Sequence, residues 1–214
     1  MPSHGTLDAL VLRSSAWSKL LVKHMIAAHE VAATLSKAGV RFILAGAHAN
    51  NAWARHVRAT MDVDILVFTR DHRKAVKAIA STYPSLGVKA RDVVTRFFDS
   101  KTGEVVLDLM KPKDRLLREV FAKGLVRRIR LEGVETDIPD LEAALAMKFA
   151  AMMRPGLKRV DAMQHAVDLA RIVGASRRID LDKLARLADL VYSGGADEVR
   201  RLIHAIRKGE PLVF

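Results

Sequence analysis

The chain has 214 residues, no cysteine, and 36 Lys and Arg against 24 Asp and Glu, a net charge of +12. Half of it is apolar and 28% is charged, the composition of a globular chain and not of a disordered one. The missing cysteines exclude disulfides, zinc–thiolate sites and thiol nucleophiles and fit a reducing cytoplasm, while no apolar run reaches the roughly 20 residues that span a bilayer.

The opening MPSHGTLDAL has neither the basic start nor the apolar stretch of a signal peptide. From Thr6 to Ala38 the spacing of Leu20, Leu21, Met25, Ala28, Val31, Ala32 and Leu35 predicts helix, stopped by Gly39. Val40 to Ala45 is a short β-branched and aromatic run and reads as a buried strand. Gly46 breaks it, and Ala47 to His56 returns to helix formers. Asp62 to Phe68 is a second strand, and Asp71 to Thr82 a helix closed by Tyr83-Pro84. Strands around Val93–Phe98 and Glu104–Met110 follow, joined by a turn over Asp99 to Gly103. Lys111-Pro112 ends the second of these, and Leu125–Leu131 with Val134–Ile138 reads as a small hairpin. Beyond Pro139 the pattern is helical, with breaks at Pro155-Gly156, near Gly174 and at Gly194-Gly195. Two parts are expected: residues 1–135, a helical start plus a mixed strand and helix core, and residues 136–214, a helical bundle.

The positive charge is even: +6 over residues 1–110 and +6 over residues 111–214. One window is denser, with eight basic and two acidic residues between Lys111 and Arg130. Such a field attracts polyanions, RNA or nucleoside triphosphates among them. Two Tyr and two Trp are too few for a broad platform on which bases stack.

The residues that carry chemistry lie between Phe42 and Phe68. Asp62 and Asp64 are two apart on a predicted strand, so their carboxylates share one face while Val63 and Ile65 point into a core. Two carboxylates held together repel, and a hard divalent cation relieves that repulsion; Mg²⁺ commonly takes one or two carboxylates plus substrate phosphates. Asp108 is the only acid in the centre of an apolar strand, where an unpaired charge is expensive. If that strand lies beside Asp62–Phe68, three carboxylates converge, enough for a site that aligns a hydroxyl with a nucleotide α-phosphate. The turn at Gly46-Ala47 opens a helix, whose free N–H groups can cradle phosphate.

On these residues the sequence resembles the nucleotidyltransferase superfamily, the polymerase-β-like fold with a small-residue turn followed by an Asp-x-Asp pair, and within it the AbiEii-like abortive-infection toxin group. The matching residues are Gly46-Ala47, Arg58, Thr60, Asp62 and Asp64, then Lys148, Arg159, Asp161, Asp168 and Leu169 in the helical part. The resemblance implies an α+β fold, a mixed sheet flanked by helices with a C-terminal helical part. It implies Mg²⁺-dependent transfer of a nucleoside monophosphate from a nucleoside triphosphate to an RNA, such as a tRNA 3′ end, or to a protein hydroxyl, with a cognate antitoxin as partner. Asp62, Asp64 and Asp108 would hold metal, Asp108 also activating the acceptor; Gly46, Ala47, Arg58 and Lys148 would hold the nucleotide. Ala47 departs from the usual second Gly or Ser, so a hydroxyl contact to phosphate is lost while the backbone N–H remains. The alternative is a catalytically inactive protein of the same fold that binds nucleic acid or a protein partner.

Among neighbouring residues, Trp53 is expected to anchor its helix and Met147, Met152 and Met153 to fill core. Asn50 and Asn51 are expected in packing or on a helix surface. Arg55, His48 and His56 are weaker nucleotide contacts. Asp161, Asp168 and Arg171 are expected on a salt-bridged helix surface.

Overall fold

A computed structural model describes residues 26–54 and 58–212 of the chain. Expectations for residues 1–25, and for Arg55 and His56, lie outside the described residues.

Helix α1 (Ala28–Lys37) buries Ala28, Val31, Ala32 and Leu35 along one stripe and hands the chain to β1 (Phe42–Leu44). Gly46 opens the short helix α2 (Gly46–Asn51), and β2 (Val63–Val67) follows. After a single 3-10 turn comes α3 (His72–Thr82), then β3 (Leu86–Ala90), β4 (Val94–Asp99) and β5 (Val105–Met110). These strands form one mixed sheet in the order β1-β2-β5-β4-β3. Only the β2–β5 pair is parallel; the other three pairs are antiparallel. Ile65, Leu107, Leu109 and Phe97, on the three central strands, are fully buried, which is why these segments read as apolar runs.

The helix expected from Ala47 ends at Asn51, and two elements are absent from the sequence reading. Leu86–Ala90 is an edge strand, paired to β4 from Leu86 opposite Asp99 to Ala90 opposite Thr95. Residues 115–123 are a helix, α4 (Arg115–Lys123), within the basic window. Its physical basis is plain: the Asp114 carboxylate accepts from the Leu117 N–H at 2.7 Å, Leu116, Val120 and Phe121 are buried, and Gly124 closes it at φ +59°.

The hairpin of β6 (Val126–Leu131) and β7 (Val134–Pro139) leads to α5 (Leu141–Met152). Most of α5 is buried: it packs chiefly against α6 (Arg159–Ala175) and α7 (Leu181–Ala188) and also touches α4 and β7, while α8 (Gly195–Lys208) packs on α6 and α7. Asp140 caps α5, accepting from the Ala143 N–H at 3.0 Å. The Trp53 indole donates to the Pro139 carbonyl at 3.1 Å and ties α2 to this junction. The apolar core runs without a break from Ile26 to Ile203. Among the described residues no helix is long and apolar enough to cross a membrane.

Candidate active site

β2 and β5 run side by side with Asp64 directly opposite Asp108. Residues opposed in this way point to the same face of a sheet, so the two carboxylates emerge together. Asp62 lies just ahead of β2, its carboxylate accepting from the Thr60 hydroxyl at 2.7 Å. Asp64 feels both neighbours. Burial, then the Asp62 carboxylate and then that of Asp108 push its pKa up to about 7, against the opposing pull of Lys148 and Arg58.

Gly46 explains how α2 can sit against this carboxylate. It stands at φ +60°, a left-handed conformation that favours glycine, and a Cβ there would lie 1.8 Å from Asp64 Oδ2. The Ala45 N–H donates to the Asp64 carbonyl at 2.8 Å and fixes the approach. Ala47 is buried in α2, as are His48, Asn50 and Asn51. Burial holds the His48 pKa down at about 4, so the ring is neutral. Asn51 is a clamp: its side-chain amide donates to the Arg58 carbonyl at 2.8 Å and accepts from the Arg58 N–H at 3.0 Å. That clamp holds the chain segment entering the Asp62–Asp64 pair.

Lys148 comes from α5 and is nearly buried. Its ammonium is 2.8 Å from the Asp168 carboxylate, which also accepts from Gln164 at 3.2 Å and lies 3.4 Å from Arg58 Nε. Asp168 is therefore buried, 6% exposed, and not on the helix surface the sequence suggested. The correction has a simple cause: α5 and Arg58 both pack onto this part of α6, which helical spacing within α6 cannot reveal. Asp161 and Arg171 are exposed.

A cavity of about 620 Å³ connects these groups. Gly46, Asn50, Asp64, Asp108 and Lys148 line its polar end, and Met147 and Tyr192 stand in its more apolar wall. Of the three methionines read as core, Met152 is buried, whereas Met147 and Met153 line the cavity.

The donor set suits a hard divalent cation. Oδ1 of Asp108 is buried with no hydrogen-bond partner among the described residues, and the Arg96 guanidinium stands 3.3 Å from it. Desolvation pushes the Asp108 pKa up, and Arg96 pulls it down. Among the described residues no three His, Asp or Glu side chains make a ready metal cage, so a cation here would complete its shell from outside the protein. Mg²⁺ ordinarily does so with water and phosphate oxygens.

Several of the Lys111–Arg130 cations are already matched. Lys113 pairs with Asp92, Lys123 with Glu119 at 2.6 Å, Arg128 with Asp137 at 2.9 Å, and Arg130 with Glu135 at 3.9 Å.

No family model matches the chain, and no curated protein matches it. Solved structures do. An antigenic nucleotidyltransferase-like protein from Paracoccidioides brasiliensis superposes with a TM-score of 0.52 at 14% identity, over 82% of this chain and 89% of that one. The antibiotic-resistance factor ANT(2″)-Ia gives 0.48 at 17% identity, over 85% and 89%. JHP933 from Helicobacter pylori gives 0.46 at 16% identity, over 98% and 94%. The first of these carries the fold: a mixed five-stranded sheet flanked by helices, as in nucleotidyltransferase-like proteins.

Proposed function

We propose that the chain is a Mg²⁺-dependent nucleotidyltransferase that moves a nucleoside monophosphate from a nucleoside triphosphate to a hydroxyl acceptor. The observation that carries this reading is the pairing of Asp64 with Asp108 on adjacent parallel strands, with the Gly46 backbone packed where a side chain would strike Asp64. A fold alone does not give an activity; a half-buried pair of like charges facing a cavity, with only Asp108 paired to a cation, does suggest a place for a further cation.

In this reading Asp64 and Asp108 would hold the metal, with Asp62 alongside and the rest of the shell coming from water and phosphate, and the ion would supply positive charge for the triphosphate and for the charge developing in transfer. The backbone at Gly46 faces the phosphates, with Ala47 buried behind it, and Lys148 and Arg58 add positive charge beside Asp64. The acceptor oxygen bonds to the α-phosphorus, the bond from that phosphorus to the bridging oxygen breaks, and pyrophosphate leaves with the electron pair. Asp108, whose Oδ1 accepts no hydrogen bond among the described residues although Arg96 stands 3.3 Å away, takes the acceptor proton. The cavity's position between the sheet and α5 fits a division near residues 135–136, with the nucleotide between the two parts. The acceptor is an RNA or protein hydroxyl, and the setting a cytoplasmic toxin–antitoxin pair.

The test is direct. The purified chain is incubated with labelled nucleoside triphosphates, Mg²⁺ and total RNA or candidate proteins, and nucleotide binding is followed by calorimetry. Label transfer that Asp64→Ala abolishes supports the proposal. No transfer to any acceptor together with no triphosphate binding removes it.

One observation favours a second reading, a non-catalytic binder of the same fold: Arg96 already occupies the neighbourhood of Asp108. In that case nucleic acid binding is independent of Mg²⁺ and unchanged by Asp64→Ala.

A further inference from the structure

The sheet carries a second alignment on the same transverse row as the two paired carboxylates. Asp64 lies opposite Asp108, Asp108 opposite Arg96 on β4, and Arg96 opposite Lys89 on β3. Opposed residues share a face, so the row reads acid, acid, cation, cation from the middle of the sheet to its edge. Strands stand about 4.8 Å apart, which puts Lys89 two strand spacings, roughly 10 Å, from Asp108 along the backbone. Arg96 is 47% exposed, and Lys89 and Arg91 are exposed. Among the described residues neither Lys89 nor Arg91 has an ion pair. The ring of Phe98, two residues beyond Arg96 on β4, fills the space above Gly87, two residues before Lys89 on β3. A Cβ at Gly87 would lie 2.2 Å from that ring. This half of the sheet thus presents three cations and one half-buried aromatic ring beside a carboxylate.

We propose that this lane on β3 and β4 binds the acceptor, and that the acceptor is a single-stranded nucleic acid whose terminal hydroxyl is delivered to Asp108. The proposal rests on the transferase reading above and specifies its substrate class. Three observations select it. The cavity takes its lining from Gly46, Lys148 and their neighbours, and no residue of β3 or β4 contributes. The nucleotide side is therefore the one toward Gly46 and α5, and the exposed face of β3 and β4 beyond Asp108 is left for the second substrate. The charge of the lane is complementary to a phosphodiester chain, and an aromatic ring next to cations is the combination that single strands use for backbone and base. An acidic protein segment would use the cations but has no base for Phe98 to meet.

The experiment compares two double charge reversals in the full chain. Lys89→Glu with Arg91→Glu lies on the lane; Arg73→Glu with Lys77→Glu changes net charge equally on exposed positions of α3, which lines no part of the cavity. Binding of a fluorescent 12-nucleotide single-stranded RNA is read by anisotropy across a salt series, and triphosphate binding by calorimetry in parallel. The lane variant is expected to bind RNA at least tenfold more weakly, with a salt slope shallower by about 1.4, two phosphate contacts at about 0.7 each. Its triphosphate affinity stays within twofold of the parent, and the α3 variant stays within twofold on both measures. Equal weakening by both variants, no weakening by the lane variant, or a parent chain that ignores RNA while labelling a protein each overturns the proposal. Loss of triphosphate binding by the parent chain overturns the transferase reading instead, and the RNA comparison still decides the lane. A Lys89→Gln, Arg91→Gln pair repeats the test without new negative charge and is expected to give the same direction with a smaller change.

Discussion

Two seams in this protein bury charge, and they do so in opposite ways. At the β2–β5 seam, Asp64 and Asp108 are opposed like charges, with Asp62 next in line, and burial drives the Asp64 pKa up to about 7. At the α5–α6 seam, Lys148 and Asp168 are buried opposite charges 2.8 Å apart, with Gln164 and Arg58 also on the carboxylate. The second seam satisfies its charges from within the chain. The first is matched only in part: Arg96 donates to Asp108 Oδ2 at 3.3 Å, while Asp64 has no ion pair among the described residues and faces a cavity. Uncompensated buried charge lowers stability, so its presence points to something other than stability being served. The two seams are also in contact electrostatically, since Lys148 and Arg58 both pull the Asp64 pKa down.

The largest effect that would sharpen this contrast is at Asp64 itself. Asp64→Ala should reduce nucleotidyl transfer by about 10³-fold or more, which is about 4 kcal/mol at 1.36 kcal/mol per decade. Asp64→Asn should do the same to activity and yet make the fold more stable at pH 8. The sign follows from linkage. A carboxyl whose folded pKa lies above its unfolded value binds its proton more tightly when folded. The stability this confers is full below about pH 4 and is lost as pH rises through about 7. The Asn variant carries no such loss, so its melting temperature should exceed the parent's at pH 8 and converge with it near pH 4, in the absence of Mg²⁺ and nucleotide. A parent chain whose stability is independent of this residue across that range would show that Asp64 carries no uncompensated charge.

Next in size is the paired seam. Lys148→Met leaves the Asp168 carboxylate buried with only Gln164 and Arg58, and should cost about 3 kcal/mol in denaturant unfolding. Adding Asp168→Leu removes the second charge and should recover most of that loss, because a buried ion pair replaced whole by apolar groups is often neutral. Triphosphate binding should not recover with it. A double variant as unstable as the single one would mean that the pair is not self-contained.

Gly46→Ala is expected to divide its effect between the two. The left-handed backbone alone costs about 1–2 kcal/mol for a residue with a Cβ. The new methyl must also displace the Asp64 carboxylate, so activity should fall by about 10²-fold, more than the change in melting explains. Equal, small losses in both would show that Asp64 moves aside freely.

How far the sequence led depends on which interactions are local. The runs VRFILA, DVDILVF and EVVLDLM are apolar because the sheet's central strands are covered, and they read as strands for that reason. The Asp62–Asp64 pair was visible from its spacing. The edge strand Leu86–Ala90 was not, since one neighbour and much exposed surface leave little apolar signal. Helix α4 is masked in the sequence by its charge: basic side chains stand between the buried Leu116, Val120 and Phe121. The roles of Asp168 and Arg96 are not legible in the sequence because their partners are remote. Lys148 is 20 residues from Asp168, and Arg58 is farther still. Arg96 meets Asp108 only through the β4–β5 register, which a turn over Asp99 to Gly103 makes plausible but which the Phe97/Phe98 irregularity shifts.

The smallest effect tests how the local clamp serves the unpaired seam. Asn51 makes two hydrogen bonds to the backbone of Arg58, four residues before Asp62. Asn51→Ala removes both, and at about 1 kcal/mol each they should lower stability by about 1–2 kcal/mol. Asn51→Asp keeps the acceptor for the Arg58 N–H but sets a carboxylate against the Arg58 carbonyl, so it should be no better than Ala. Neither change touches Lys148 or Asp168 directly. If the clamp acts by holding Asp62 and Asp64 in line, triphosphate affinity in the presence of Mg²⁺ should drop severalfold in both variants, and calorimetry without Mg²⁺ should show a smaller difference. A loss of stability with unchanged Mg²⁺-dependent binding would confine Asn51 to the fold and leave the carboxylates aligned by the β2–β5 register alone.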